Sequence, residues 1–267
     1  MIRGAVLGSP ISHSLSPSLH RAVFQEMGVV GSYEAIDVPS GTLQEFFLKN
    51  ESGFDYFSLT MPLKEEAHFL DVICDDLSLR IGSINTLYKK DGKWFATSTD
   101  GSGFLAALQA RGYARCSHAL ILGAGGTARA VAGALDGNVE TLSVMGRTST
   151  RRDALERCVE KSAFTYLPWS NDPDINSYDL IVNTTPAGAA DLLAGNLPPH
   201  VSGLLFDVIY KPWPTVLASA WADRSGDVIN GKELLLWQGL DQLALVLDVE
   251  IARSSLSLHL REVLAQL

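Results

Sequence analysis

The chain has 267 residues, 46% hydrophobic and 19% charged, with a formal net charge of -9 at pH 7. That length can bury one large or two medium cores, and the composition implies no disordered tail. The negative field argues against nucleic acid and anionic membranes as general partners, while a local basic cluster can still hold a small anion. The opening MIRGAVLGSPISHS has one basic residue and an apolar stretch too short and glycine-broken for a signal peptide. Nothing later reaches the length of a membrane span, so a cytoplasmic protein acting on small molecules is expected. Cys74, Cys116 and Cys158 are far apart and the six histidines form no ligand pattern, so free thiols and no metal are expected.

Apolar runs of strand length alternate with segments of helical period, which marks an α/β protein with largely parallel sheets. In chain order the pattern predicts a strand over 3–8, a helix over 17–27, a strand over 32–38, a helix over 41–50 and a strand over 55–60, closed by Met61-Pro62. A hairpin follows, with arms at 85–88 and 94–96 turned by Asp91-Gly92, a pair that favours the positive φ of a tight turn. Asp100-Gly101 opens a helix to about Arg111, and the break over 100–117 reads as a domain boundary. A second series has strands at 118–123, 140–146, 178–183 and 203–209. From Leu234 onward the pattern is helical, and LLLWQGLDQLALVLD is too densely apolar for a free surface helix.

Three stretches carry chemistry. SHSLSPSLHR, residues 12–21, ends in Ser16-Pro17, a good helix start with serine as N-cap and proline at the first helical position. Its other hydroxyls are either turn residues or, beside a helix N-terminus at a strand end, ligands for a small anion such as a carboxylate. In LILGAGGTARA the glycines match the dinucleotide fingerprint: Gly123 for the tight turn, Gly125 for close approach of a pyrophosphate, Ala128 for helix packing, with Ala124, Gly126 and Thr127 between them. At the next strand end, VMGRTSTRR puts Arg147, Thr148 and Arg151 where an NAD site would carry an acid, which favours the 2′-phosphate of NADP. The third stretch, SLTMPLKE, ends a strand, turns at proline and sets Lys64 at the start of the next helix. Lys64 is either a solvated lysine or, near a nicotinamide and a carbonyl, a proton donor to a developing alkoxide; Asp100 is either a helix N-terminal acid or its partner.

Taken in order, Gly8-Ser9-Pro10, Ser14-Leu15-Ser16, Thr60-x-Pro62-x-Lys64, Gly82-Ser83-Ile84-Asn85-Thr86, Thr99-Asp100-Gly101, the Gly123 loop, Asn183 to Gly188, Asp207 to Pro212 and Gly231-Lys232-x-x-Leu235 with Gln238 form a specific set. The chain thereby resembles the shikimate dehydrogenase family over nearly its whole length. That resemblance implies a two-domain α/β fold: an N-terminal substrate-binding domain over 1–100, a Rossmann-type doubly wound NADP-binding domain over 101–231, and C-terminal helices over 232–267 packing back on the first domain. It implies that Ser14 and Ser16 bind the substrate carboxylate and that Ser12 stays a turn residue. Lys64 and Asp100 become the catalytic pair, with Thr60, Asn85, Tyr210 and Gln238 completing the substrate pocket. Thr184, Thr185, Pro186, Val208 and Gly231 join the glycine loop and the arginine segment in holding NADP(H). The implied reaction is reversible reduction of 3-dehydroshikimate to shikimate by NADPH, in a monomer or homodimer.

Three positions depart from the family's usual pattern: Ser58 and Ser98 stand where it has asparagine, and so does Gly146. Ser58 and Ser98 change in the same direction, amide to hydroxyl, and are read as a compensating pair within one hydrogen-bond network. They also leave room for a quinate/shikimate dehydrogenase or a paralogue using NAD or other ring acids. A dinucleotide-binding regulator without catalysis is a further alternative, opposed by the presence of both Lys64 and Asp100.

Overall fold

In the computed structural model, which describes residues 1–113 and 115–267, the apolar run that follows Arg3 forms an interior strand whose last five residues are all buried. The chain divides into two compact units, Met1–Gly103 with Leu235–Leu267, and Phe104–Leu234.

The first series runs β1 (Ile2–Gly8), α1 (Ser16–Glu26), β2 (Gly31–Asp37), α2 (Leu43–Asn50), β3 (Tyr56–Leu59), β4 (Ile73–Cys74), α3 (Asp76–Ile81), β5 (Thr86–Lys90), β6 (Lys93–Thr97) and α4 (Asp100–Ala110). Its six-stranded sheet has the order β2-β1-β3-β5-β6-β4. β1 pairs parallel with β2 and β3, whereas β5 is antiparallel to both β3 and β6. The sheet is therefore mixed: its β1–β2, β1–β3 and β4–β6 pairings are parallel and the two made by β5 are antiparallel, the β5–β6 pair because the two-residue turn at Asp91-Gly92 can join only antiparallel neighbours. Both turn residues take positive φ, 50° and 73°, as that turn requires. One face of the sheet buries Leu7, Leu43, Phe47, Phe57, Leu63 and Trp94, with the Phe57 and Trp94 rings stacked at 5.5 Å.

The second series runs β7 (His118–Leu122), α5 (Gly126–Leu135), β8 (Thr141–Gly146), α6 (Arg152–Glu156), β9 (Ala163–Pro168), β10 (Leu180–Asn183), α7 (Asp191–Ala194), β11 (Leu204–Asp207), α8 (Val216–Ala222) and β12 (Val228–Asn230). Its sheet is wholly parallel in the order β12-β11-β10-β7-β8-β9, a doubly wound arrangement that reverses direction between β7 and β10. β10 and β11 are buried at every residue and β7 at all but its first, as strands covered on both faces must be. The edge strands β9 and β12 were not marked by the apolar pattern. The first is half-exposed along its length and the second has three residues.

The chain ends in α9 (Gly231–Leu247) and α10 (Arg253–Ala265). Leu236, Leu240 and Leu243 of α9 are fully buried, and α10 packs against α1 of the first unit, where the C-terminal helices were expected. Among the described residues no helix is long and apolar enough to cross a membrane. The three cysteines are free thiols, Cys158 buried and the other two half-buried.

Candidate active site

In the first unit β1 and β3 end side by side, and backbone bonds tie the loops that leave them. Thr60 N–H donates to the Leu7 carbonyl (2.9 Å) and Ser9 N–H to the Met61 carbonyl (3.1 Å). The serine loop and the lysine turn thus leave one sheet edge at the carboxyl ends of adjacent parallel strands, the usual place for a ligand in such sheets. Ser12 is an exposed turn residue, Ser14 is half-buried and Ser16 is buried. Ser16 is not the cap that the sequence suggests: the helix is preceded by Leu15, and no side chain caps it. The Ser14 hydroxyl instead accepts the Ser16 N–H (3.4 Å), and the Ser16 hydroxyl is not used in capping.

Lys64 likewise does not open an α-helix. Residues 61–65 form a turn anchored by buried Leu63, whose N–H bonds to the Thr60 carbonyl (2.8 Å), and only a short 3-10 helix, Glu66–Phe69, follows. The Lys64 carbonyl accepts the Ile84 N–H (2.9 Å), which draws the lysine to the segment before β5 that carries Asn85. Its ammonium pairs with the Asp100 carboxylate at the first residue of α4, with the two side chains 16% and 5% exposed. Asn85 binds the other Asp100 oxygen through Nδ2 (2.7 Å) and the same nitrogen reaches Gln238 Oε1 on α9 (3.2 Å). Gln238 donates from Nε2 to the Leu235 carbonyl (2.9 Å), which orients its amide. Lys64, Asp100, Asn85 and Gln238 therefore form one cluster, with Thr60 on the turn that carries the lysine. Tyr210 belongs to the second unit, half-buried in the segment after β11. A partly buried ammonium held by a carboxylate can stabilise negative charge on a substrate oxygen and deliver a proton to it.

In the second unit Gly123 ends β7 with φ +103°, which a side chain rarely adopts, and a Cβ there would press on Thr184 Oγ1. The Thr184 hydroxyl donates to the Leu122 carbonyl (2.8 Å) and Gly123 N–H to the Met145 carbonyl (2.9 Å). The glycine loop is thus fastened to the neighbouring strand ends, with Gly125 immediately before α5, whose first turn holds Gly126, Thr127 and Ala128. Arg151 donates to the Ala124 carbonyl (3.3 Å), so one arginine of the basic segment lies against the loop. Arg147 and Thr148 are exposed at the end of β8 with no acid in that turn. Arg152 pairs with Glu156 (3.8 Å), as a solvated helix-start residue would. At the adjoining ends of β10 and β11 the Asn183 amide spans Thr185 and Asp207, both buried, and burial pushes the Asp207 carboxyl above its ordinary pKa. Pro186 follows Thr185, Val208 N–H bonds to the Asn183 carbonyl (3.0 Å), and Gly231 N–H to the Ile209 carbonyl (3.3 Å).

The departures fall out differently from the expected pairing. Ser58 is bonded to Tyr33 and, at 2.5 Å, to Gln242, whereas the buried Ser98 hydroxyl has no partner among the described residues. They share no network. At Gly146 a Cβ would meet the Tyr166 hydroxyl, the far end of a half-buried side chain that donates to the Thr148 carbonyl (2.6 Å), so a side chain at 146 requires the tyrosine to move. Sequence reading assigned no role to Thr86, Thr99 or Gln242, all of which bond within the Asn85 cluster or directly behind it. The available signal for Gln242 was an amide inside a dense apolar run, one helical turn beyond Gln238.

A family model described as the shikimate dehydrogenase substrate binding domain matches residues 6–87. A Thermus thermophilus protein named shikimate dehydrogenase (NADP(+)) is 38% identical over 244 residues, 90% of each chain. A Staphylococcus epidermidis protein of the same name is 33% identical over 260 residues, 93% of this chain and 92% of that one. Among solved structures, the Thermus thermophilus shikimate 5-dehydrogenase in complex with NADP(H) and shikimate superposes with a TM-score of 0.84 at 32% identity, over 98% of this chain and all of that one. Sequence and fold agree, and the chain belongs to the shikimate dehydrogenase family.

Proposed function

We propose that this protein is an NADP-dependent shikimate dehydrogenase, an oxidoreductase that reversibly reduces 3-dehydroshikimate to shikimate in aromatic amino-acid biosynthesis. The observation that carries the reading is the Lys64–Asp100 pair, the ammonium partly buried and the carboxylate buried, braced by Asn85. On this reading Ser14 and Ser16 bind the substrate carboxylate, and Thr60, Asn85, Tyr210 and Gln238 bind ring hydroxyls. The buried Ser16 hydroxyl, not committed to capping, supports that role. The first unit then takes the substrate and the second the cofactor.

The second unit fits a phosphorylated dinucleotide. The Gly123 turn leaves backbone without side chain before the N-terminus of a ten-residue helix, and Arg147 stands exposed with no competing acid. Gly123, Ala124, Gly125, Gly126, Thr127 and Ala128 would hold the pyrophosphate, Arg147, Thr148 and Arg151 the 2′-phosphate, and Thr184, Thr185, Pro186, Val208 and Gly231 the nicotinamide half. NADPH when bound supplies the hydride for the substrate carbonyl. Lys64 bonds the carbonyl oxygen, offsets the charge that grows on it and gives it a proton. Asp100 keeps the ammonium aimed and accepts a substrate hydroxyl. In shikimate oxidation Lys64 receives the proton back. The same reading makes the protein a cytoplasmic monomer or homodimer.

The test is nicotinamide absorbance during oxidation of shikimate and of quinate, each with NADP and with NAD. Turnover with shikimate and NADP, abolished in Lys64→Ala, is the expected result. Turnover of quinate or with NAD alone would move the protein to a paralogous activity, and none with either acid would remove the reading.

A further inference from the structure

We infer that Gln242, with Thr86 in front of it and Ser58 and Tyr33 behind, is a positioning residue that holds the Asn85 amide, and through it Asp100, in the orientation Lys64 needs. The inference rests on the dehydrogenase reading for its functional consequence and on geometry for its existence.

The directions of the bonds follow one from another. Thr99 N–H donates to Asn85 Oδ1 (2.8 Å), and a backbone N–H can only donate, so the Asn85 amide is fixed with Oδ1 on that side and Nδ2 toward Asp100 and Gln238. Thr86 Oγ1 lies 2.7 Å from the same Oδ1, an acceptor, so the single Thr86 proton must point there. The Thr86 oxygen then has only lone pairs for Gln242, which must present Nε2 (2.9 Å). That turns Gln242 Oε1 to Ser58 (2.5 Å), whose proton goes to Gln242 and whose oxygen therefore accepts from Tyr33. Tyr33 is a neutral donor there, since burial raises its phenol above the ordinary range. Five bonds run the same way, Tyr33 to Ser58 to Gln242 to Thr86 to Asn85 to the Asp100 carboxylate. Every member is buried, and Gln242 and Thr86 are wholly so.

Such a chain has one stable arrangement, and buried polar networks are costly when left half satisfied. Ser58 on β3 and Thr86 on β5 are direct cross-strand partners, and Gln242 of α9 bonds to both hydroxyls, accepting from the first and donating to the second. Loss of the link leaves Thr86 free to turn its proton away, and the Asn85 amide then loses one of the groups that sets it against Asp100.

The experiment compares Thr86→Val, Thr86→Ser, Gln242→Met and Gln242→Glu in the full chain. Valine keeps threonine's shape without the hydroxyl, and serine restores the hydroxyl. An ionised glutamate has only acceptors, so at a pH where it is charged Thr86 must donate to it and abandon Asn85. Thr86→Val, Gln242→Met and Gln242→Glu are expected to lower kcat for shikimate by about tenfold or more through misplacement of the pair, with KM for NADP within about twofold; Thr86→Ser should stay within about twofold of the parent in both. The Asn85 side-chain amide resonances should move in Thr86→Val and both Gln242 variants and stay in Thr86→Ser. Unchanged kcat and unchanged Asn85 resonances in Thr86→Val would overturn the inference, as would a loss that serine fails to restore. If the Gln242 variants do not fold, the valine and serine pair decides alone. If the parent protein does not turn over shikimate, the dehydrogenase reading falls, and the Asn85 resonances still decide whether the chain of bonds exists.

Discussion

The two sheets finish their strand ends in contrasting ways. At the ends of the first, side chains satisfy one another: Lys64 meets Asp100, Asp100 meets Asn85, and Asn85 meets Gln238 and Thr99. At the ends of the second, the glycine loop is fastened by backbone groups and the Thr184 hydroxyl, and of the basic segment Arg147 is exposed while Arg151 reaches back to the Ala124 carbonyl. The difference matches the two tasks. Proton delivery to one atom needs groups held to fractions of an ångström before substrate arrives, whereas an extended anion can be gripped by N–H groups and mobile guanidinium groups as it binds. A change in the first unit should therefore register in kcat, and one in the second in cofactor KM.

The contrast breaks most visibly at Lys64. Lys64→Ala should lower kcat by roughly 10³-fold, with KM for NADP within about twofold, if, as proposed, it removes the group that meets the growing charge and leaves cofactor contacts alone. A comparable rise in cofactor KM would show that the two strand-end sites are not divided in this way. Next in size, Arg147→Ala should raise KM for NADP by about 10- to 100-fold and leave KM for NAD nearly unchanged, the loss of one charge-assisted bond to the 2′-phosphate. Equal effects on both cofactors would remove Arg147 from that role.

The third test uses a group with no counterpart in the second unit. His20 is fully buried, stacked on Tyr33 at 3.9 Å and bonded to the Tyr56 hydroxyl (2.8 Å), and burial lowers its pKa from 6.5 to about 3. Below pH 6.5 the unfolded chain takes up a proton there that the folded chain refuses until about pH 3, so this contribution to stability falls as pH falls through that window. Its slope is at most about 1.4 kcal/mol per pH unit, and His20→Gln should flatten denaturant-measured stability by up to that amount over the same range. The smallest effect separates the two serines. Ser98→Ala, which deletes a hydroxyl without a partner, should leave stability unchanged or raise it by about 1 kcal/mol, while Ser58→Ala should lower it by about 1–2 kcal/mol. Equal melting shifts would return Ser58 and Ser98 to a common network.

What could be read from the sequence was local chemistry. Asp91-Gly92 turns the hairpin because two residues in positive φ suffice to do so, and Gly123 ends β7 because its neighbours define a strand and a helix. Ser16 misled as a cap because serine before proline is a strong local signal, while the chain had already entered the helical region at Leu15. Lys64 misled for the converse reason: buried Leu63 and the bond from Ile84 hold a turn where local preference suggested a helix. Gln242 was beyond reach because its partner Ser58 lies 184 residues away, and only the packing of α9 on the first sheet brings amide to hydroxyl.

The contact of Tyr166 over Gly146 places a condition on how this sequence can change. While the phenol occupies that space, any side chain introduced at 146 collides with it, and shortening the tyrosine first withdraws the bond to the Thr148 carbonyl beside Arg147. The two positions on adjacent strands are therefore coupled, and a designer seeking new adenosine-side contacts at 146 must either let Tyr166 swing out and give up that bond or open both positions together.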